Sequence, residues 1–286
     1  MITLEKLRPR TLWVASSGPG WGPLPEMLLT LTLVTGLVDA VSILALGRVF
    51  VANMTGNVVF AGFAIAGAPG FSLGASLFAL AGFLIGAHAG GAVTRRVGHD
   101  RALHVRAAVS AELVLIAAAL IIAAASGGAA AASGTLDLAD GANSFSDGIT
   151  YALALVLATA MGIQNSVARK LAVPDLTTTV LTMTLTGIGA DPGTGRHGHV
   201  TLTRRVLAVV TMLVGGILGA GLVLNVGVVA PLALTTGLLA VAAIWATRAV
   251  RYDGEWRAAA PARSGPESAS PTADQQDRPP GATDVR

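Results

Sequence analysis

Eight apolar segments follow one another along the chain, at about 26–47, 49–67, 71–93, 106–126, 149–169, 176–190, 205–224 and 226–247. Most approach or exceed the roughly 20 residues a helix needs to cross the hydrocarbon core of a bilayer. The exception is 176–190, which at about 1.5 Å per residue reaches only about 22 Å against a core of about 30 Å. The pattern predicts an all-α, polytopic transmembrane helix bundle. It divides the chain into an N-terminal segment (1–25), a membrane domain (26–250) and a Pro-, Ser- and charge-rich tail (251–286). That tail cannot bury enough apolar surface to fold and is expected to be disordered.

The basic residues decide how many segments cross. Lys6, Arg8 and Arg10 precede the first segment, Arg95, Arg96 and Arg101 follow the third, and Lys170 follows the fifth. Arg196, Arg204 and Arg205 precede the seventh, and Arg248, Arg251 and Arg257 close the domain. Basic clusters stay on the cytoplasmic side. Eight full crossings cannot keep all of them there. Six crossings can, if 49–67 and 176–190 each enter and leave on one side. Arg48 is then the exception. For 176–190 the short length agrees independently; for 49–67 the charge argument stands alone. Both termini are expected in the cytoplasm.

Each half (26–126 and 149–247) then holds a span, a short polar element and two further spans. Three crossings per half orient the halves oppositely, so an inverted repeat is expected. Sliding one half along the other sets Gly36 on Gly162, Asp39 on Asn165 and Val41 on Val167. Gly82, Gly86 and Gly90 in the third segment match Gly215 and Gly219 in the seventh as small-residue faces. Such a face could pack helices or join two copies of the chain as a homo-oligomer.

Composition narrows the function. Hydrophobic residues make up 53% and charged residues 12% of the 286, and mean hydropathy is +0.67. Soluble domains carry about twice that charge. With no cysteine, disulfides, thiol chemistry and thiolate metal sites are excluded. The net charge of +3 comes from basic residues at segment ends, which argues against a nucleic-acid partner. The first segment is too long for the core of a cleaved signal peptide, so no cleavage is expected. No HExxH, GxSxG or P-loop occurs. No enzyme, metal site or cofactor is predicted; His197 and His199, beside Arg196, are a weak pair for a metal.

The polar residues inside the oily segments carry the candidate chemistry. Thr32, Thr35, Asp39 and Ser42 fall on one helical stripe. A carboxylate at membrane depth must face protein or water, which makes Asp39 a candidate proton or cation site. A protonated carboxyl that glues helices together is the alternative. Asn53, Thr55 and Asn57 interrupt VANMTGNVV (51–59), with both amides expected on one face and Gly56 admitting a second backbone. A broken element lining a cavity is expected there; interhelical glue is again the alternative. In the second half, Gln164 and Asn165 precede Pro174, Asp175 and the Thr-rich stretch containing Thr178 and Thr182. Asp175 reads as a helix cap. His88 and Glu112 read as structural, Glu112 near the inner end of its span.

TGLVDAVSILALGRVFVANMTGNVVFAGFAIAG (35–67) and AMGIQNSVARKLAVPDLTTTVLTMTLTG (160–187) together resemble the YoaK-like family of bacterial multi-pass membrane proteins, a domain of unknown function. The resemblance covers about 26–250. It implies a bacterial inner-membrane protein and supplies no activity, ligand or residue role. The residues themselves point to a transporter or channel for a small solute or ion. Asp39, Asn53, Thr55, Asn57, Gln164, Asn165, Thr178 and Thr182 would form a polar midplane site. A non-transporting membrane scaffold is the competing reading.

Overall fold

The computed structural model describes residues 21–127, 145–173, 181–190, 198–251 and 254–258. The described residues form α1 (Leu24–Ala45), α2 (Met54–Ile65), α3 (Leu73–Val97), α4 (Arg101–Ala125), α5 (Asp147–Leu171), α6 (Leu181–Ala190), α7 (Gly198–Asn225) and α8 (Val229–Ala249). A 3-10 turn, Glu255–Arg257, follows. The strand-like pairing among these residues is an isolated bridge between Asp100 and Ala258. The bundle is therefore all-helical.

Among the described residues, six helices are long and apolar enough to cross a membrane: α1, α3, α4, α5, α8 and, within α7, Leu202–Asn225. The other two are not. With 12 residues, α2 reaches about 18 Å, and α6 with 10 reaches about 15 Å. Segment 49–67, long enough on paper to span, is broken at its start. Gly47 and Arg48 take the left-handed conformation (φ 79° and 55°), which ends α1 and turns the chain. Helix resumes only at Met54.

Backbone-to-backbone approach through glycine holds the long helices together. A Cβ at Gly86 would land on the Thr159 carbonyl, and one at Gly90 on Ser166 and Ile163. On the other pair, a Cβ at Gly215 would meet the Leu33 carbonyl, and one at Gly219 would meet Ala40 and Leu37. From the opposite side, Gly162 faces the Phe83 carbonyl and Gly36 the Met212 carbonyl. Numbering rises together in both pairs, so α3 runs parallel to α5 and α1 runs parallel to α7. Gly82, Gly86 and Gly90 are thus filled by α5 of the same chain. This corrects the expectation that their face could join two copies.

The two halves are interchangeable in their contacts. The most extensive interfaces are α3–α5 and α1–α7, which exchange when α1–α4 is swapped with α5–α8. The same swap turns α4–α5 into α1–α8, α2–α3 into α6–α7, and α3–α4 into α7–α8. The α4–α8 and α1–α5 interfaces map onto themselves. The glycine contacts match residue by residue: Gly36 with Gly162, Gly86 with Gly215, Gly90 with Gly219.

Apart from Arg48, which lies beyond the far end of α1, one end of the bundle gathers the basic residues of the described segments. The Arg101 guanidinium sits 4.6 Å from the Trp21 ring and donates to the Trp256 carbonyl. Arg257 pairs with Asp100. These contacts bring the start of α1, the α3–α4 turn and the end of α8 together. Since α1 is parallel to α7 and α3 to α5, the end of α5 and the start of α7 lie there too. The chain accordingly leaves and re-enters at the far end around α2, and at the basic end around α6. Neither short helix crosses.

Candidate functional site

Asp39 sits late in α1, on the face turned toward the loop that follows. Its Oδ1 accepts from the Ala52 amide at 3.3 Å, and the Val51 amide also faces the carboxyl. Among the described residues no basic side chain pairs with it. The rest of the stripe is buried and bonded to its own helix. Thr32 and Thr35 donate to the carbonyls of Leu28 and Leu31 at 2.9 Å, and Ser42 donates to that of Asp39 at 3.0 Å. Such back-bonding satisfies a hydroxyl without a ligand.

Asp39 also lines an open cleft of about 350 Å³ between α1 and α7. Gly36, Ala40, Ile43 and Leu44 continue the α1 wall, Met212, Gly216 and Ala220 form the α7 wall, and Phe50 closes one end. Among the described residues, Asp39 is the sole ionisable one of the lining. Sequence reasoning placed Asp39 on a path but missed the opposite wall. The doublet Gly215–Gly216 was the available signal. Gly215 packs on Leu33, whereas a side chain at Gly216 would meet nothing within 4 Å.

Asn57 does not line this cleft. It is fully buried, its Oδ1 accepts from the Phe50 amide at 2.8 Å, and its Nδ2 donates to the Phe50 carbonyl at 2.5 Å. The Phe50 ring stacks on Phe60 with centroids 5.6 Å apart and lies against Gly56. Gly56 is therefore small to admit a ring rather than a backbone. Asn57 and Asp39 act together on the loop between α1 and α2: one holds Phe50, the other Val51 and Ala52.

Gln164 joins the halves. Its Nε2 donates to the Thr35 hydroxyl at 2.9 Å and lies 3.5 Å from the Leu31 carbonyl. Its Oε1 is buried and has no partner among the described residues. Asn165 is half-buried and donates to the Met161 carbonyl of its own helix. Asn53 and Thr55 are exposed, so Asn53 does not share the face of Asn57. Thr182 is exposed as well, and Thr178, like Pro174 and Asp175, lies outside the described residues. The structure does not bring Asn53, Thr55 and Thr182 to Asp39. Their helices are peripheral: α2 packs on α3, and α6 on α7.

Two further predicted residues are placed by the bundle. His88 is exposed on α3. Glu112 lies midway along the 25-residue α4, fully buried, not near the inner end of its span. Neither of its carboxyl oxygens has a partner among the described residues.

Oppositely placed halves, six long apolar helices and a carboxyl on an open cleft define a polytopic α-helical membrane protein built as an inverted repeat. The chain belongs to the family described as protein of unknown function (DUF1275), whose model matches residues 27–245. It is 32% identical over 165 residues to the UPF0700 transmembrane protein YoaK of Bacillus subtilis (strain 168). That alignment covers 58% of this chain and 65% of the relative, just under two thirds of its length. No solved structure matches the chain.

Proposed function

We propose that the protein moves a small solute or ion across the bacterial cytoplasmic membrane, with Asp39 as the proton- or cation-responsive group. The observation that carries this reading is a buried carboxyl, unpaired with any basic side chain among the described residues, on the wall of an open cleft. An acid at membrane depth is costly unless it serves a path or a ligand. The inverted repeat supports the reading, since many transporters place their site at the interface of such halves. Gln164 adds a neutral link from the opposite half. The single basic end fits a cytoplasmic placement of both termini under the positive-inside bias.

Proteoliposomes containing a trapped pH dye test this under an imposed membrane potential. Proton or Na⁺-coupled proton flux above that of empty liposomes is expected, and Asp39→Asn should remove it. Flux equal to empty liposomes, or unchanged in Asp39→Asn, overturns the proposal.

A non-transporting membrane scaffold is the second reading. It is favoured by the use of Asn57, Thr32, Thr35 and Ser42 within the chain itself. Absent flux together with loss of folding in Asp39→Asn is the outcome that selects it.

A further inference from the structure

We infer that the α1–α7 cleft takes a lipophilic organic monocation. The inference rests on the transport reading and names the ligand class of the same site.

Charge comes from one residue. Among the described residues, Asp39 is the sole ionisable group of the lining, and one of its oxygens already accepts from the Ala52 amide. A carboxylate has about four acceptor positions, so capacity remains toward the cleft. A hard divalent cation needs 6–8 oxygen ligands, which this lining does not offer. A sugar or zwitterion would leave its own hydroxyls or second charge unmatched against Ile43, Leu44 and Met212, at a cost for each buried polar group. A monocation with an apolar body gives up only the hydration of one diffuse charge, which Asp39 offsets. Its charge meets Asp39, and its body meets the aliphatic walls and, at one end, Phe50.

Size and access agree. The cleft of about 350 Å³ falls within the range of small-molecule sites, roughly 300–1,000 Å³. Gly216 leaves room along the α7 wall, since a Cβ there meets nothing within 4 Å. An acyl chain could fill the apolar walls, but it would bring nothing to Asp39.

The test is equilibrium binding of radiolabelled tetraphenylphosphonium to the purified full chain in nanodiscs. Neutral triphenylphosphine oxide serves as competitor, with Asp39→Asn and Gly216→Leu as variants. Asp39 also holds the loop, so Gly216→Leu provides the arm that fills the cleft and leaves the carboxyl in place. Saturable binding is expected, not displaced by the oxide and weakened at least about tenfold in either variant. The thermal stability of Gly216→Leu should not fall. Equal displacement by the oxide, or unweakened binding in Gly216→Leu, overturns the proposal. Flux that depends on Asp39 with no phosphonium binding sinks the ligand class and leaves the transport reading standing. Phosphonium binding as described with no flux does the reverse.

Discussion

Asn57 grips Phe50 by both of its backbone groups, accepting from the amide at 2.8 Å and donating to the carbonyl at 2.5 Å. One side chain thereby replaces the sheet-like partner that an irregular segment at membrane depth would otherwise lack. Phe50 in turn closes one end of the cleft. Asn57→Ala should lower stability by about 2 kcal/mol, because two backbone groups lose their partners. Asn57→Asp should cost at least as much, because an ionised carboxylate would set a buried charge against the Phe50 carbonyl. Unfolding in mixed SDS micelles checks both.

The glycines sort by what a methyl group would strike. Gly36, Gly86, Gly162 and Gly215 each face a carbonyl of the adjoining helix, whereas Gly62 and Gly237 face open space. Gly86→Ala should cost about 1–3 kcal/mol, since backbone must move. Gly36→Ala, the counterpart of a change at Gly162, should cost a similar amount. Gly237→Ala should be neutral or stabilising by up to about 1 kcal/mol, because a helix-interior glycine is entropically costly. A thermal-shift series over Gly36, Gly86 and Gly237 separates packing glycines from incidental ones.

Much of this was legible in the sequence, and the rest fails for physical reasons. Spans are written in composition, so six crossings and two short elements follow from length and charge. The inverted repeat showed in the sequence mainly through the matching glycine faces of the third and seventh segments, because close helix approach favours the smallest residues; the alignment of Gly36 on Gly162 alone was thin. The site was less legible. An amide within an apolar run signals that something must be satisfied, but it does not say what satisfies it. Asn57 satisfies the backbone of Phe50, and Asn53 lies exposed at the start of α2. The α7 wall of the cleft is apolar and small, so no polar residue advertised it.

Glu112 should be a cost to the fold. The buried positions of α4, Val105, Ala108, Glu112 and Ala119, keep step with Leu232, Thr235, Leu239 and Ala246 of α8. Glu112 thus stands where the other half buries a leucine, with no partner among the described residues for either oxygen. An unsatisfied buried polar group costs about 1–3 kcal/mol. Glu112→Leu should therefore raise the unfolding midpoint, and a lowered midpoint would show that the carboxyl is engaged.

The basic end should loosen in acid. Partial burial alone would push the Asp100 carboxyl up. The hydrogen bonds and charge of Arg257, with the amides of Leu103 and Ala102, outweigh it and hold the group below the usual carboxylate range. A lowered pKa means stability that is complete above the unfolded-state pKa and is lost as pH falls through the lower, folded one. The pair is partly exposed, so its contribution should be about 1 kcal/mol or less. Arg257→Gln should shrink that acid step, while Asp100 continues to cap α4. Trp21 and Trp256 both contact Arg101, the chain neighbour of Asp100, so tryptophan fluorescence against pH reports the loosening of this end.

The central claim is that the cleft beside Asp39 belongs to a wet path and is not a lipid-filled seam. The chain has no cysteine, so a single Gly216→Cys can be read without background. The account predicts that this thiol reacts with a membrane-impermeant cationic methanethiosulfonate, and reacts more slowly once Asp39→Asn removes the attracting charge. A thiol silent to that reagent, yet labelled by a lipid-soluble maleimide, would contradict it.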